Sequence, residues 1–211
     1  MNLEKFEITI EGITPLILHN CQMSNPLNKF SKQVKVYTSK RTKTEEDHEK
    51  ILNIQWESAL YWSESIGLYM PWENLYSCML KAAKSHKMGQ KMGGISFSDP
   101  IGYPIITKNH KSLDLLKKDD DNKFVKMVSI QRSKTLSCRP IFHEWSVSFS
   151  FEIDPSFITA NEMKTILETM KERGGLGVWR PTSPQPGPYG RFTFKSFIYT
   201  DLNNKKTELK V

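Results

Sequence analysis

Cysteine is scarce in this 211-residue chain: Cys21, Cys78 and Cys138 form an odd set with long separations. Such a set suits neither a disulfide framework nor a zinc site and predicts reduced thiols. Long apolar runs are missing, with nothing near the roughly 18 consecutive residues of a membrane span. The opening residues, Met1-Asn2-Leu3-Glu4-Lys5-Phe6, lack the apolar centre of a signal peptide. These absences together predict a cytoplasmic chain with no membrane partner. Asp119, Asp120 and Asp121 stand without further ligand-type residues nearby. A lone acidic run is usually a hydrated turn, so neither a metal nor another cofactor is expected.

The most informative absence is of negative charge. From Gly12 to Thr44 there is no Asp or Glu, while Lys29, Lys32, Lys35, Lys40, Arg41 and Lys43 put six positive charges into 33 residues. Such a block repels itself unless an anion neutralises it, and the net charge of +7 points the same way. Phe30 and Tyr37 sit among these charges. Basic groups that track a backbone beside rings that stack on bases are the equipment of single-stranded nucleic-acid sites. A solvated basic loop, or a short hairpin around Val34–Tyr37, is the alternative. A second basic edge is offered by Arg132, Lys134 and Arg139. Lys81, Lys84, Lys87 and Lys91 form a stripe that reads as a solvated helix side.

The residues present in excess over a short stretch are glycines. Gly174, Gly175, Gly177, Gly187 and Gly190 fall within 17 residues, with Arg180 and Arg191 among them. Glycine stands where a Cβ would clash or φ is positive. Bare amides at Gly175, Gly177 and Gly190 beside two guanidinium groups could therefore approach a phosphate chain together. A proline-stiffened surface loop is the competing reading.

Alternation predicts strands at 4–11, 124–131, 141–153 and 190–199. Helices are predicted at 44–66, at 71–86 after Pro71, and at 159–173 after the capping box Thr159-Ala160-Asn161-Glu162. With residues 20–66 set aside as an inserted basic loop and helix, and 87–123 as an irregular insertion around a short strand at Tyr103–Thr107, the order is β-α-β-β-α-β. That predicts one α+β, ferredoxin-like domain with a four-stranded antiparallel sheet.

At three places the sequence resembles the RAMP superfamily, the RRM-like subunits of CRISPR effector complexes. Phe6–Ile10 with Thr14-Pro15-Leu16 is similar to the family's opening strand and turn. Tyr69–Leu75 stands at its first helix start, with Trp72 in place of a glycine. Gly174–Phe192 is similar to its glycine-rich loop, with Arg180 and Arg191 at the arginine positions. The resemblance extends to stand-alone relatives in phages and prophages. It implies non-catalytic binding of RNA or single-stranded DNA, with oligomerisation along the strand or membership of a ribonucleoprotein complex. The alternatives are a metal-independent endoribonuclease and a phage protein that mimics or binds a host defence complex. General acid–base cleavage would fall to His19 or His143. A protein interface would use Trp56, Trp62 and Trp72 as anchors.

Overall fold

Phe6, Ile8 and Ile10 alternate with Glu7, Thr9 and Glu11, and the first strand buries only the apolar set. A computed structural model describes residues 3–130 and 133–208. Its elements in chain order begin with β1 (Glu4–Gly12), β2 (Leu16–Ile17), α1 (Lys29–Thr38), α2 (Glu45–Ser58), β3 (Trp62–Ser63), β4 (Gly67–Pro71) and α3 (Trp72–Ser85). There follow β5 (Ile95–Phe97), β6 (Gly102–Ile106), α4 (Leu113–Lys118), β7 (Lys123–Ile130) and β8 (Ser133–Phe142). The last are β9 (Ser146–Ile153), α5 (Ala160–Arg173), β10 (Phe192–Thr200) and β11 (Lys206–Glu208).

The centre of the main sheet runs β10-β1-β9-β6, every pairing antiparallel. With α3 and α5 this is the ferredoxin-like β-α-β-β-α-β frame. The sheet exceeds the expected four strands: β4 and β3 extend one edge, β11 extends the other, and β5 also pairs with β9, giving eight. Phe6 stacks on its cross-strand partner Phe151 at 5.3 Å between ring centres. Leu75 and Met79 of α3 and Met163 and Ile166 of α5 belong to the same buried cluster. Each such side chain contributes about 1.5–3 kcal/mol on burial. No helix among the described residues is long and apolar enough to cross a membrane.

The expected order of strands and the expected form of the acid-free segment both need correction. The frame's second strand is β6, inside the stretch read as an irregular insertion, whereas β7 pairs only with β8 in a separate three-stranded sheet with β2. Alternation marks β7 as a strand and is silent on its partner. The stretch read as one strand over 141–153 is likewise two, parted by an exposed turn at His143 and Glu144. The second correction concerns the acid-free segment, whose core is α1 rather than a loop or hairpin. Asn28 caps it, its side-chain oxygen accepting from the Phe30 amide at 2.9 Å, and Phe30 is its one buried residue. One cap and one anchored ring outweigh the strand preference of Val34 and Val36.

Candidate nucleic-acid interface

The glycine-rich loop is laid against the turn after β1 by backbone hydrogen bonds. The Val178 amide donates to Ile17 O at 2.9 Å, and the Gly190 amide donates to Pro15 O at 2.8 Å. Thr14 Oγ1 donates to Pro188 O at 2.8 Å and accepts from the Arg191 amide at 2.9 Å. Gly177 (φ +74°) and Gly190 (φ +68°) lie in the left-handed region. A Cβ on Gly177 would stand 2.3 Å from Ile17 O, and one on Gly190 would stand 1.9 Å from Leu176 O. These glycines admit the chain's own carbonyls, and the Gly190 amide is spent inside the protein. Its expected role as a phosphate donor is thereby corrected.

Packing against the turn thrusts Trp179 outward, itself at φ +51°. Opposite it stands the β7–β8 hairpin, in which Phe124 and Arg139 are direct cross-strand partners. The Arg139 guanidinium lies 4.5 Å from the Trp179 ring centre and Lys126 Nζ lies 4.9 Å from it. Phe124 meets the same ring edge-on at 5.6 Å, and Tyr189 closes the cluster 5.7 Å from Phe124. Two cations on one indole are each worth about 0.5–2 kcal/mol, and the stack fixes where Arg139 points.

Between hairpin and loop runs a groove of about 660 Å³, with Arg139 and Trp179 on its walls. It is continuous with a recess of about 270 Å³ lined by Arg180, Gly175 and Gly177, because His19, Cys21 and Val178 line both. Among the described residues, no Asp or Glu lines either cavity. Among the described residues no arginine forms an ion pair, all nine being made by lysines. His19 Nδ1 and Arg139 Nε are buried there without a hydrogen-bond partner. Burial, helped by the Arg139 charge, holds the His19 imidazole below its ordinary pKa. Burial and then the Arg180 charge do the same to the Lys81 ammonium, whose Nζ donates to Thr182 O at 2.8 Å. The arrangement is a concentration of uncompensated positive charge in a concave, partly aromatic site, which is what a polyanion needs.

A titration of stability follows from His19. Its folded-state pKa lies below the unfolded value near 6.5, so the unfolded chain takes up the proton first. The contribution is complete above about pH 6.5 and is lost as the pH falls towards the folded-state value. Urea midpoints at pH 7.5 and 5.5 should therefore differ more in the wild type than in His19→Asn. Equal differences would show that His19 is not desolvated.

Several expected residues lie elsewhere. Lys29 and Tyr37 line a different cavity, of about 480 Å³ between α1 and α2, which shares no residue with the groove. Helix α2 separates the two, giving Gln55 and Ser58 to the groove and Lys50 and Ile54 to the other side. Lys40 pairs with Asp47 at 2.6 Å, and Lys40 and Lys50 stand over the Tyr37 ring at 5.5 and 5.8 Å. Lys43 donates to Lys40 O at 3.0 Å. Lys32, Lys35, Arg41, Lys134 and Arg191 are exposed and line none of these cavities. Arg132 lies outside the described residues. His143 is exposed in the β8–β9 turn, away from the groove. The three tryptophans offered as interface anchors pack inward: Trp56 is 0% exposed, and Trp62 and Trp72 are partly buried against the core. The acid-free segment does reach the groove, through His19 to Ser24 and not through its lysines.

Sequence reasoning missed Trp179, Lys126, Phe124 and Tyr189, and read Lys81 as merely solvated. The tryptophan inside a glycine-arginine loop was the available signal. The outer face of the main sheet, where RRM domains place base-stacking aromatics, carries Glu7, Glu11 and Ser148 instead. Glu7 is paired with Lys5 and Lys206, and Glu11 with Lys195.

No protein-family model and no curated protein matches this chain. Among solved structures, it is similar to a chain of the cryo-EM structure of the type III-B Cmr-beta bound to cognate target RNA, with 11% identity and a TM-score of 0.48. The match covers 95% of this chain and 61% of that one.

Proposed function

We propose that this protein binds RNA or single-stranded DNA in the groove between the glycine-rich loop and the β7–β8 hairpin, without acting on it chemically. The observation that carries the reading is an acid-free cavity pair with Arg139 and Arg180 on its walls, neither neutralised by a carboxylate. The guanidinium groups would take phosphates and the Trp179 cluster would take a base edge or face. Assembly of several copies along one strand, as the RAMP resemblance implies, is part of the proposal.

Fluorescence polarisation of a labelled 15-nucleotide strand tests it. Two to four neutralised phosphates predict a log–log salt slope of roughly −1.5 to −3. Binding with no salt slope, or no binding at 50 mM salt, sinks the reading. The mass of the loaded complex reports the number of copies. A second reading, metal-independent RNA cleavage, is favoured by one observation: His19 lies in the groove beside Arg139. Shortened RNA after incubation in EDTA, absent with His19→Ala, would establish it instead.

A further inference from the structure

Phosphates are common to RNA and DNA, so phosphate contacts made by the arginines of the groove do not distinguish the two. Guanidinium groups also only donate hydrogen bonds. The sugar group that sets RNA apart is the 2′-hydroxyl, an acceptor and also a donor, and its proton needs an acceptor in the groove. Two acceptors of the groove wall are already engaged, the first being Gln55 Oε1, which takes the Cys138 amide at 3.0 Å. The Ser58 hydroxyl is turned to Met23 Sδ and Gln55 O, both at 2.8 Å.

His19 differs on three counts. Its Nδ1 is buried and has no partner, it lines both the groove and the recess, and it thereby borders both the cavity walled by Arg139 and the one walled by Arg180. Its backbone is fixed on both sides, the Leu18 amide donating to Pro140 O at 3.0 Å and the Asn20 amide to Ala59 O at 2.9 Å. Tyr61 Oη donates to the His19 carbonyl at 3.3 Å. A buried polar atom left unsatisfied beside two guanidinium groups, which only donate, suits a ligand group that can donate to it. Burial, helped by the Arg139 charge, favours the neutral imidazole, in which one ring nitrogen can accept.

We propose that His19 makes the groove selective for RNA, its imidazole accepting a hydrogen bond from a ribose 2′-hydroxyl whose flanking phosphates are held by Arg139 and Arg180. This rests on the nucleic-acid reading of the groove and adds a specificity to it. His19 is a binding residue here and no bond is broken.

The test compares three 15-nucleotide strands of one sequence: RNA, DNA and 2′-fluoro RNA. The last has a ribose-like pucker and no hydroxyl to donate. One hydrogen bond corresponds to about a five- to tenfold preference for RNA over DNA, and 2′-fluoro RNA should bind like DNA. His19→Leu should bring the ratio of RNA to DNA affinity close to one, whatever it does to the affinity for both strands, and His19→Asn, whose amide oxygen accepts, should restore the ratio. Equal wild-type affinity for RNA and DNA overturns the proposal, as does 2′-fluoro RNA binding like RNA or a preference that survives in His19→Leu. Absence of binding to all three strands instead overturns the groove reading beneath it. RNA shortened in EDTA overturns it in favour of cleavage. Should His19→Leu fail to fold by circular dichroism, the wild-type comparison with 2′-fluoro RNA decides alone.

Discussion

Gly190→Ala is expected to unfold about 6–12 °C below the wild type, with Gly177→Ala close behind. At each position the new methyl meets two penalties. A positive φ costs an L-residue of this kind about 1–2 kcal/mol. The Cβ would also stand 1.9 Å from Leu176 O or 2.3 Å from Ile17 O, and a backbone carbonyl cannot swing aside as a long side chain can. The loop would have to lift from Pro15 and Ile17, losing hydrogen bonds worth about 1 kcal/mol each. A total of about 3 kcal/mol, at about 2–4 °C per kcal/mol for a chain of this size, gives the stated range. Gly93 is the control: nothing lies within 4 Å of its Cβ position and its φ is not positive. Gly93→Ala should stabilise by about 0.4–1 kcal/mol through the unfolded chain. Thermal unfolding of the three variants decides the matter. If Gly190→Ala melts with the wild type but has lost affinity for a labelled strand, the glycine serves a ligand rather than the fold.

The same two glycines show how much could be read beforehand. Their number and their place between a capped helix and a strand were legible, because a need for positive φ or close approach leaves only glycine. What came close was not, since a carbonyl of this chain and a phosphate of another make the same demand for a missing Cβ. The frame was legible wherever one face of an element is buried: Phe6-Ile8-Ile10, the Thr159–Glu162 cap and the Val147-Phe149-Phe151 alternation all map onto observed elements. The strand β6 reads as a short strand at 103–107 but as part of an insertion and not of the frame, and β7 reads as the frame strand because its partner is set by tertiary packing. The basic block misled for a related reason. Charge counted along the chain says nothing about which side of a helix carries it, and α2 stands between those lysines and the groove. Trp179, Lys126 and Arg139 come from distant parts of the sequence and meet only because the hairpin folds over the loop.

That meeting supplies the largest expected effect on binding. Replacing both arginines of the site, Arg139→Ala with Arg180→Ala, should weaken binding of a 15-nucleotide strand about 100-fold. Each single change should cost about tenfold, as expected for a charge-assisted hydrogen bond to phosphate of about 1.5 kcal/mol. The salt slope should flatten by about 0.7 per arginine. Arg139→Lys separates charge from shape: the slope should hold, because the charge is kept. Affinity should still fall several-fold, because an ammonium loses the fork and the planar stack on Trp179. Trp179→Leu should resemble Arg139→Lys, since it frees the guanidinium without removing it. Lys35→Ala, exposed on α1 and outside both cavities, should stay within about twofold. If Lys35→Ala weakens binding as much as Arg139→Ala does, the strand runs over α1 and the groove is not the site. If the double variant binds like the wild type with an unchanged slope, no phosphate is held by either arginine.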